Sequence, residues 1–149
     1  MSPSTGRLQV ASAAKLWDGT GSALFTSSAG VYAQSSGTCT EHSPVKAIGD
    51  TERTDRLLGA EQAMLDAGGN VLRCVGLYHS SRGAHTAFLN MQEVGRSGDS
   101  VINLVHYQDA ASMAAAVRSM AGFCIAVCTL RPDASTKAVA HFKLPAPCT

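Results

Sequence analysis

Between Ser22 and Leu77 the chain reads strand, loop, helix, strand, and that order constrains its fold more than any other feature. Asn70 to Leu77, NVLRCVGL, is a near-continuous apolar run of strand length. Such runs belong to strands buried on both faces, the condition of a parallel sheet covered by helices. Thr51 to Ala67 precedes it and carries an apolar stripe at Leu57, Leu58, Ala60, Met64 and Leu65. Thr51 suits the N-cap, and Gly68-Gly69 supplies the stop. Ser22 to Ser28, SALFTSS, is a second buried-strand candidate, separated from the helix by an aperiodic stretch from Ala29 to Asp50. Two parallel strands joined through a helix are a crossover unit.

The same alternation extends in both directions. Arg7 to Trp17 reads as a helix with Leu8, Val10, Ala14 and Trp17 on one broad face. Ala84 to Val94 reads as a short helix and Val101 to Val105 as a strand. Asp109 is a candidate N-cap for a helix from Ala110 to Met120, and Phe123 to Leu130 is a last strand candidate. The expected fold class is α/β, a mostly parallel sheet with crossover helices.

Composition excludes several function classes. A net charge of +1 gives no pull toward nucleic acid or acidic lipid, and 5% aromatic content leaves little for base stacking. No apolar run approaches the roughly 20 residues a membrane helix needs, so no membrane partner is expected. The five cysteines, Cys39, Cys74, Cys124, Cys128 and Cys148, form no CxxC pair. They fit a reduced, intracellular chain, cytoplasmic or organellar, better than a zinc site or a disulfide framework. His106 and Asp109 have no third partner at ligand spacing, so no metal is expected.

Phosphate-cradling glycine loops are missing from the sequence. The lone GxG, Gly19-Thr20-Gly21, precedes a strand instead of following one and reads as a helix-to-strand turn. No GxxxxGK[ST] segment occurs either. Thr26, Ser27 and Ser28 cluster where a strand ends, the usual location of ligands in open α/β sheets. Their hydroxyls suit either ligand binding or capping of the turn.

LFTSSAGVYAQ resembles the serine strand of extended short-chain dehydrogenases/reductases, the NAD-dependent epimerase/dehydratase proteins. The resemblance continues in order over residues 8–120. It runs through Glu41-His42-Ser43-Pro44, RLLGAEQ from Arg56 to Gln62, VLRCVGLY from Val71 to Tyr78, Arg82-Gly83, and NLVHYQDAA from Asn103 to Ala111. It implies a partial Rossmann-like fold lacking the N-terminal dinucleotide-binding strands. Residues 1–130 would form a partial NAD(P)-binding and substrate region, and residues 131–149 a divergent tail. The cofactor implied is NAD or NADP, and the ancestral chemistry is hydride transfer on a sugar-like hydroxyl of a small-molecule substrate.

By the same resemblance Ser28 matches the catalytic serine, and Thr26 and Ser27 match positions near the cofactor. Gly76 and Tyr78 match the strand end beside the nicotinamide, where packing roles are the alternative. Arg82 is a candidate for an anionic substrate group or a solvated loop charge, and His106 for the substrate cleft or a hydrogen bond to its loop. The family's YxxxK pair is absent, with Arg53 and Leu57 at the matching positions, and Tyr32 is the nearest phenol to substitute. The expectation is therefore an incomplete enzyme relative. The alternative is a non-catalytic interaction or regulatory remnant, with a homo-oligomer or partner chain covering an exposed sheet edge.

Overall fold

A computed structural model of the chain describes residues 5–34, 39–91, 95, 102–118 and 125–128. It is a mixed α/β protein, and the three strand pairings among the described residues are parallel. Helix α1 spans Thr5–Ala14, strand β1 Leu24–Ser28, helix α2 Glu52–Asp66 and strand β2 Asn70–Cys74. Strand β3 spans Gly76–Tyr78, helix α3 Ala84–Asn90, strand β4 Leu104–His106, helix α4 Tyr107–Arg118 and strand β5 Ile125–Cys128. A 3-10 turn over Ala29–Val31 follows β1 directly.

The main sheet has the order β1-β2-β5, with β2 in the centre, and β3 pairs with β4 in a second, two-stranded sheet. All five residues of β2 are buried, as its apolar run requires. Its alternation sorts the two faces. Leu72 and Cys74 join Val105, Ala110, Met113 and Val117 in a core beneath α4. Arg73 faces the other way, toward α2, where it meets Glu61. The stripe Ala110, Met113, Val117 follows helical spacing, which is why α4 presents one buried face to the sheet.

Helix α2 forms as its sequence predicts. The Thr51 hydroxyl accepts a hydrogen bond from the Thr54 amide at 3.1 Å. Past the other end, Gly68 takes φ +86°, a left-handed conformation that glycine adopts without a Cβ clash.

Several expectations change. The segment Asn70 to Leu77 is two strands, not one, because the chain leaves the β1-β2-β5 sheet after Cys74 and pairs with β4 instead. The Gly76 amide donates to the Asn103 carbonyl at 3.1 Å as this second pairing begins. Helix α1 ends at Ala14, and its expected apolar face is only partly covered: Val10, Ala14 and Trp17 are half-buried, whereas Leu8 is exposed. The last helix starts at Tyr107, which places Asp109 in its first turn and not at the cap. The preceding His106 does the capping, its Nδ1 accepting from the Gln108 amide at 3.2 Å. Of the expected helix Ala84 to Val94, α3 covers Ala84–Asn90, and residues 92–94 lie outside the described residues, as does the tail 131–149. No described helix is long and apolar enough to cross a membrane.

Candidate ligand cleft

Parallel strands that stop at the same level leave a crevice between the loops that follow them. Here β1 and β2 run in register, Ser27 beside Arg73 and Ser28 beside Cys74. Both strands therefore end at one edge of the sheet. An open cleft of about 590 Å³ lies there, within the size range of small-molecule sites. Ser27 and Ser28 contribute from the end of β1, Cys74 from the end of β2, and Gly76 and Leu77 from β3. Arg53 enters from the first turn of α2, Arg82 from the turn after β3, and Asn103 and Tyr107 from either side of β4.

Ser28 is held by its own turn. Its hydroxyl oxygen accepts from the Gly30 amide at 3.2 Å, capping the 3-10 turn. That bond uses a lone pair and leaves the hydroxyl hydrogen available for donation. Capping and ligand binding, posed as alternatives by the sequence, are thus compatible at this residue. Cys74 is buried at the floor of the cleft, and burial pushes its thiol pKa up, so it is a poor nucleophile there.

Beneath the cleft lies a buried polar cluster. The Ser27 hydroxyl donates to Glu61 Oε1 at 2.6 Å. Arg73 Nε donates to the same oxygen at 3.0 Å, and its Nη2 donates to Oε2 at 2.6 Å. The Arg73 guanidinium carbon lies 4.8 Å from the centroid of the Tyr32 ring. The Tyr32 hydroxyl is buried and has no hydrogen-bond partner. Burial raises the Tyr32 pKa, and the nearby Arg73 charge only partly offsets it. An activated phenol needs the opposite shift.

The residues singled out from the sequence divide between two places. Ser27, Ser28, Gly76 and Arg82 line the cleft; Thr26, Tyr32, Tyr78 and His106 do not. Thr26 is exposed on β1. Tyr78 and His106 stack edge-on, with ring centroids 5.3 Å apart and planes 79° apart. They are register partners across the β3-β4 pairing. Gly76 serves packing as well as the cleft: a Cβ there would lie 2.7 Å from Leu104 Cδ2 and 3.1 Å from the Asn103 carbonyl oxygen.

The sequence reading did not assign Arg53, Cys74, Asn103 and Tyr107 to a site, nor Glu61 to a buried ion pair. One signal for the pair was legible. A lone arginine inside the apolar run of β2 needs a buried counter-charge, and α2, joined to it by a short turn, carries Glu61 on its apolar face. Among the described residues, no three His, Cys, Asp or Glu side chains gather closely enough to hold a metal ion.

No protein-family model matches the chain, and no curated protein matches it.

Proposed function

We propose that this chain is an NAD(P)-dependent epimerase/dehydratase-like protein of partial Rossmann-like architecture, whose cleft at Ser28 receives a small hydroxyl-bearing ligand. The observation that carries this reading is the position of Ser28. It stands at the end of a parallel strand, with its oxygen held by the Gly30 amide and its hydrogen free to donate into an open cleft. A reacting hydroxyl or carbonyl oxygen there would meet a fixed donor. NAD or NADP, when bound, would supply the hydride acceptor. The cleft residues fit the binding of such a ligand through hydroxyl, amide and guanidinium donors. They do not supply a phenol–lysine proton relay, since Arg53 lines the cleft at the position matching the family's tyrosine. Arginine stays protonated and cannot serve as the base.

Titrating the full chain with NAD(H) and NADP(H) by calorimetry is the direct test. Saturable micromolar binding, weakened by Ser28→Ala, supports the reading. Absence of binding by either cofactor overturns it.

The placement of Tyr32 and Arg53 favours a second reading, a non-catalytic interaction or regulatory module built on the same scaffold. Tyr32 is buried under Arg73, and no described strand pairs with the outer edge of β1. An unpaired edge is a template for another chain, either a second copy or a partner. Light scattering that finds only monomers, together with cofactor turnover, would remove this alternative.

A further inference from the structure

Among the described residues, charge along the cleft is all of one sign: its lining includes Arg53 and Arg82 and no aspartate, glutamate or histidine. The two arginines come from different elements, and both are exposed. Among the described residues neither makes an ion pair.

The acids closest to Arg53 in sequence are engaged elsewhere. Glu52 Oε1 lies 3.9 Å from Arg56 Nη1, and Asp55 Oδ1 accepts from the Gly49 amide at 2.9 Å. The Thr51 cap holds the first turn of α2, and with it the backbone of Arg53. Arg82 is likewise presented by a held backbone. Its amide and carbonyl pair with those of His79, at 3.2 and 2.8 Å, closing a tight turn. The Ser81 amide also donates to His79 Nδ1 at 3.3 Å. Two cations on held backbones, with no counter-charge among the described residues and with the Ser28 hydroxyl in the same lining, raise the positive potential inside a concave site and concentrate anions there.

Resting on the reading of this cleft as the ligand site, we infer that Arg53 and Arg82 clamp a phosphoryl group of the ligand, with Ser28 donating to the same end of the molecule. Guanidinium forks match phosphate oxygens in pairs, which lysine does not reproduce. The phosphoryl group belongs either to the dinucleotide cofactor or to a phosphorylated sugar-like substrate. In both cases Arg53 serves binding at the position where the resembling enzymes keep their proton-transfer phenol.

The test is a titration of the isotope-labelled full chain with inorganic phosphate, glucose 6-phosphate, glucose and NAD, followed by amide chemical shifts. Phosphate and glucose 6-phosphate are expected to move the amides of Ser28, Gly30, Gly76 and Leu77, and glucose is not. Arg53→Gln and Arg82→Gln are each expected to weaken phosphate binding about tenfold, and the double variant further still. Both side chains are exposed, so thermal unfolding of the variants is expected to match the parent. The lysine variants R53K and R82K are expected to recover only part of the loss. Phosphate binding that survives in the double glutamine variant, or an absence of phosphate binding to the parent chain, overturns the clamp. NAD binding without phosphate binding overturns the clamp and leaves the cofactor reading standing. Phosphate binding through both arginines without NAD binding does the reverse, and points to the phosphorylated substrate as the source.

Discussion

Glu61 and Arg73 meet face to face in the interior, with Arg73 Nε and Nη2 donating to Oε1 and Oε2 at 3.0 and 2.6 Å. Their side chains are 4% and 5% exposed, so water screens neither charge. The Ser27 hydroxyl supplies a third donor to the carboxylate. The pair therefore fastens α2, β1 and β2 at one point, just below the ligand cleft. A buried pair of this kind gains little over two apolar residues, yet it is costly to break from one side.

Glu61→Leu is expected to cost about 3–5 kcal/mol, because it strands the Arg73 cation in the core. Arg73→Met is expected to cost a similar amount by stranding the carboxylate. The double variant Glu61→Leu/Arg73→Met is expected to be more stable than either single one. Urea denaturation of the four proteins, read as a double-mutant cycle, measures the coupling.

Tyr32→Phe is expected to leave stability unchanged or raise it by about 1 kcal/mol, since the hydroxyl it removes is buried without a partner. Tyr32→Leu, which also removes the ring beside Arg73, is expected to lose about 1–2 kcal/mol from the cation–π contact alone. If the phenol were instead the proton carrier of a cofactor-dependent reaction, Tyr32→Phe would abolish turnover while leaving cofactor binding intact. Activity and denaturation assays on this one variant separate the two roles.

Gly76→Ala is expected to destabilise the β3-β4 pairing by about 1–3 kcal/mol. The new methyl would meet both Leu104 Cδ2 and the Asn103 carbonyl. Adding Leu104→Ala relieves only the side-chain clash, because the carbonyl stays 3.1 Å from the new Cβ. Hydrogen exchange at the Gly76 amide, which donates to Asn103, reports loosening of this pairing directly.

Alkaline pH is expected to weaken the fold. Burial raises the pKa of Cys74 from an ordinary value of 9.0 and that of Tyr32 from 10.0. The unfolded chain thus releases these protons first as pH rises, and the folded chain retains them. Stability is fully present well below pH 9, where neither state has ionised these groups, and falls as pH climbs through the unfolded values toward the folded ones. Each group contributes a slope of at most about 1.4 kcal/mol per pH unit. Thermal unfolding between about pH 8 and 11 should show this decline. Cys74→Ala should flatten its first part and Tyr32→Phe its second.

Much of the architecture was legible because its signals are local. A cap at Thr51, a left-handed glycine at Gly68 and an apolar stripe between them specify α2 within a few residues of each position. The wholly buried β2 was legible as an apolar run, and the alternation of helices and strands correctly implied parallel pairing. Ser27 and Ser28 could be singled out because strand ends are where ligand clefts form, whereas Gly76 and Arg82 were singled out through the family resemblance.

The rest depended on contacts between residues far apart in the chain. Ser27 reaches Glu61 across 34 positions, and only the register of β1 on β2 puts Ser27 beside Arg73 on the face that α2 covers. The same packing turned Tyr32 inward beneath a guanidinium and brought Arg53 into the cleft. It also divided NVLRCVGL into two strands, since beyond Cys74 the chain finds its partner in β4 and not in β1 or β5. Periodicity records which residues seek burial and which positions cap or turn the chain. It does not record which partner each buried group meets, because that is set by the register of strands and the seating of helices on the sheet.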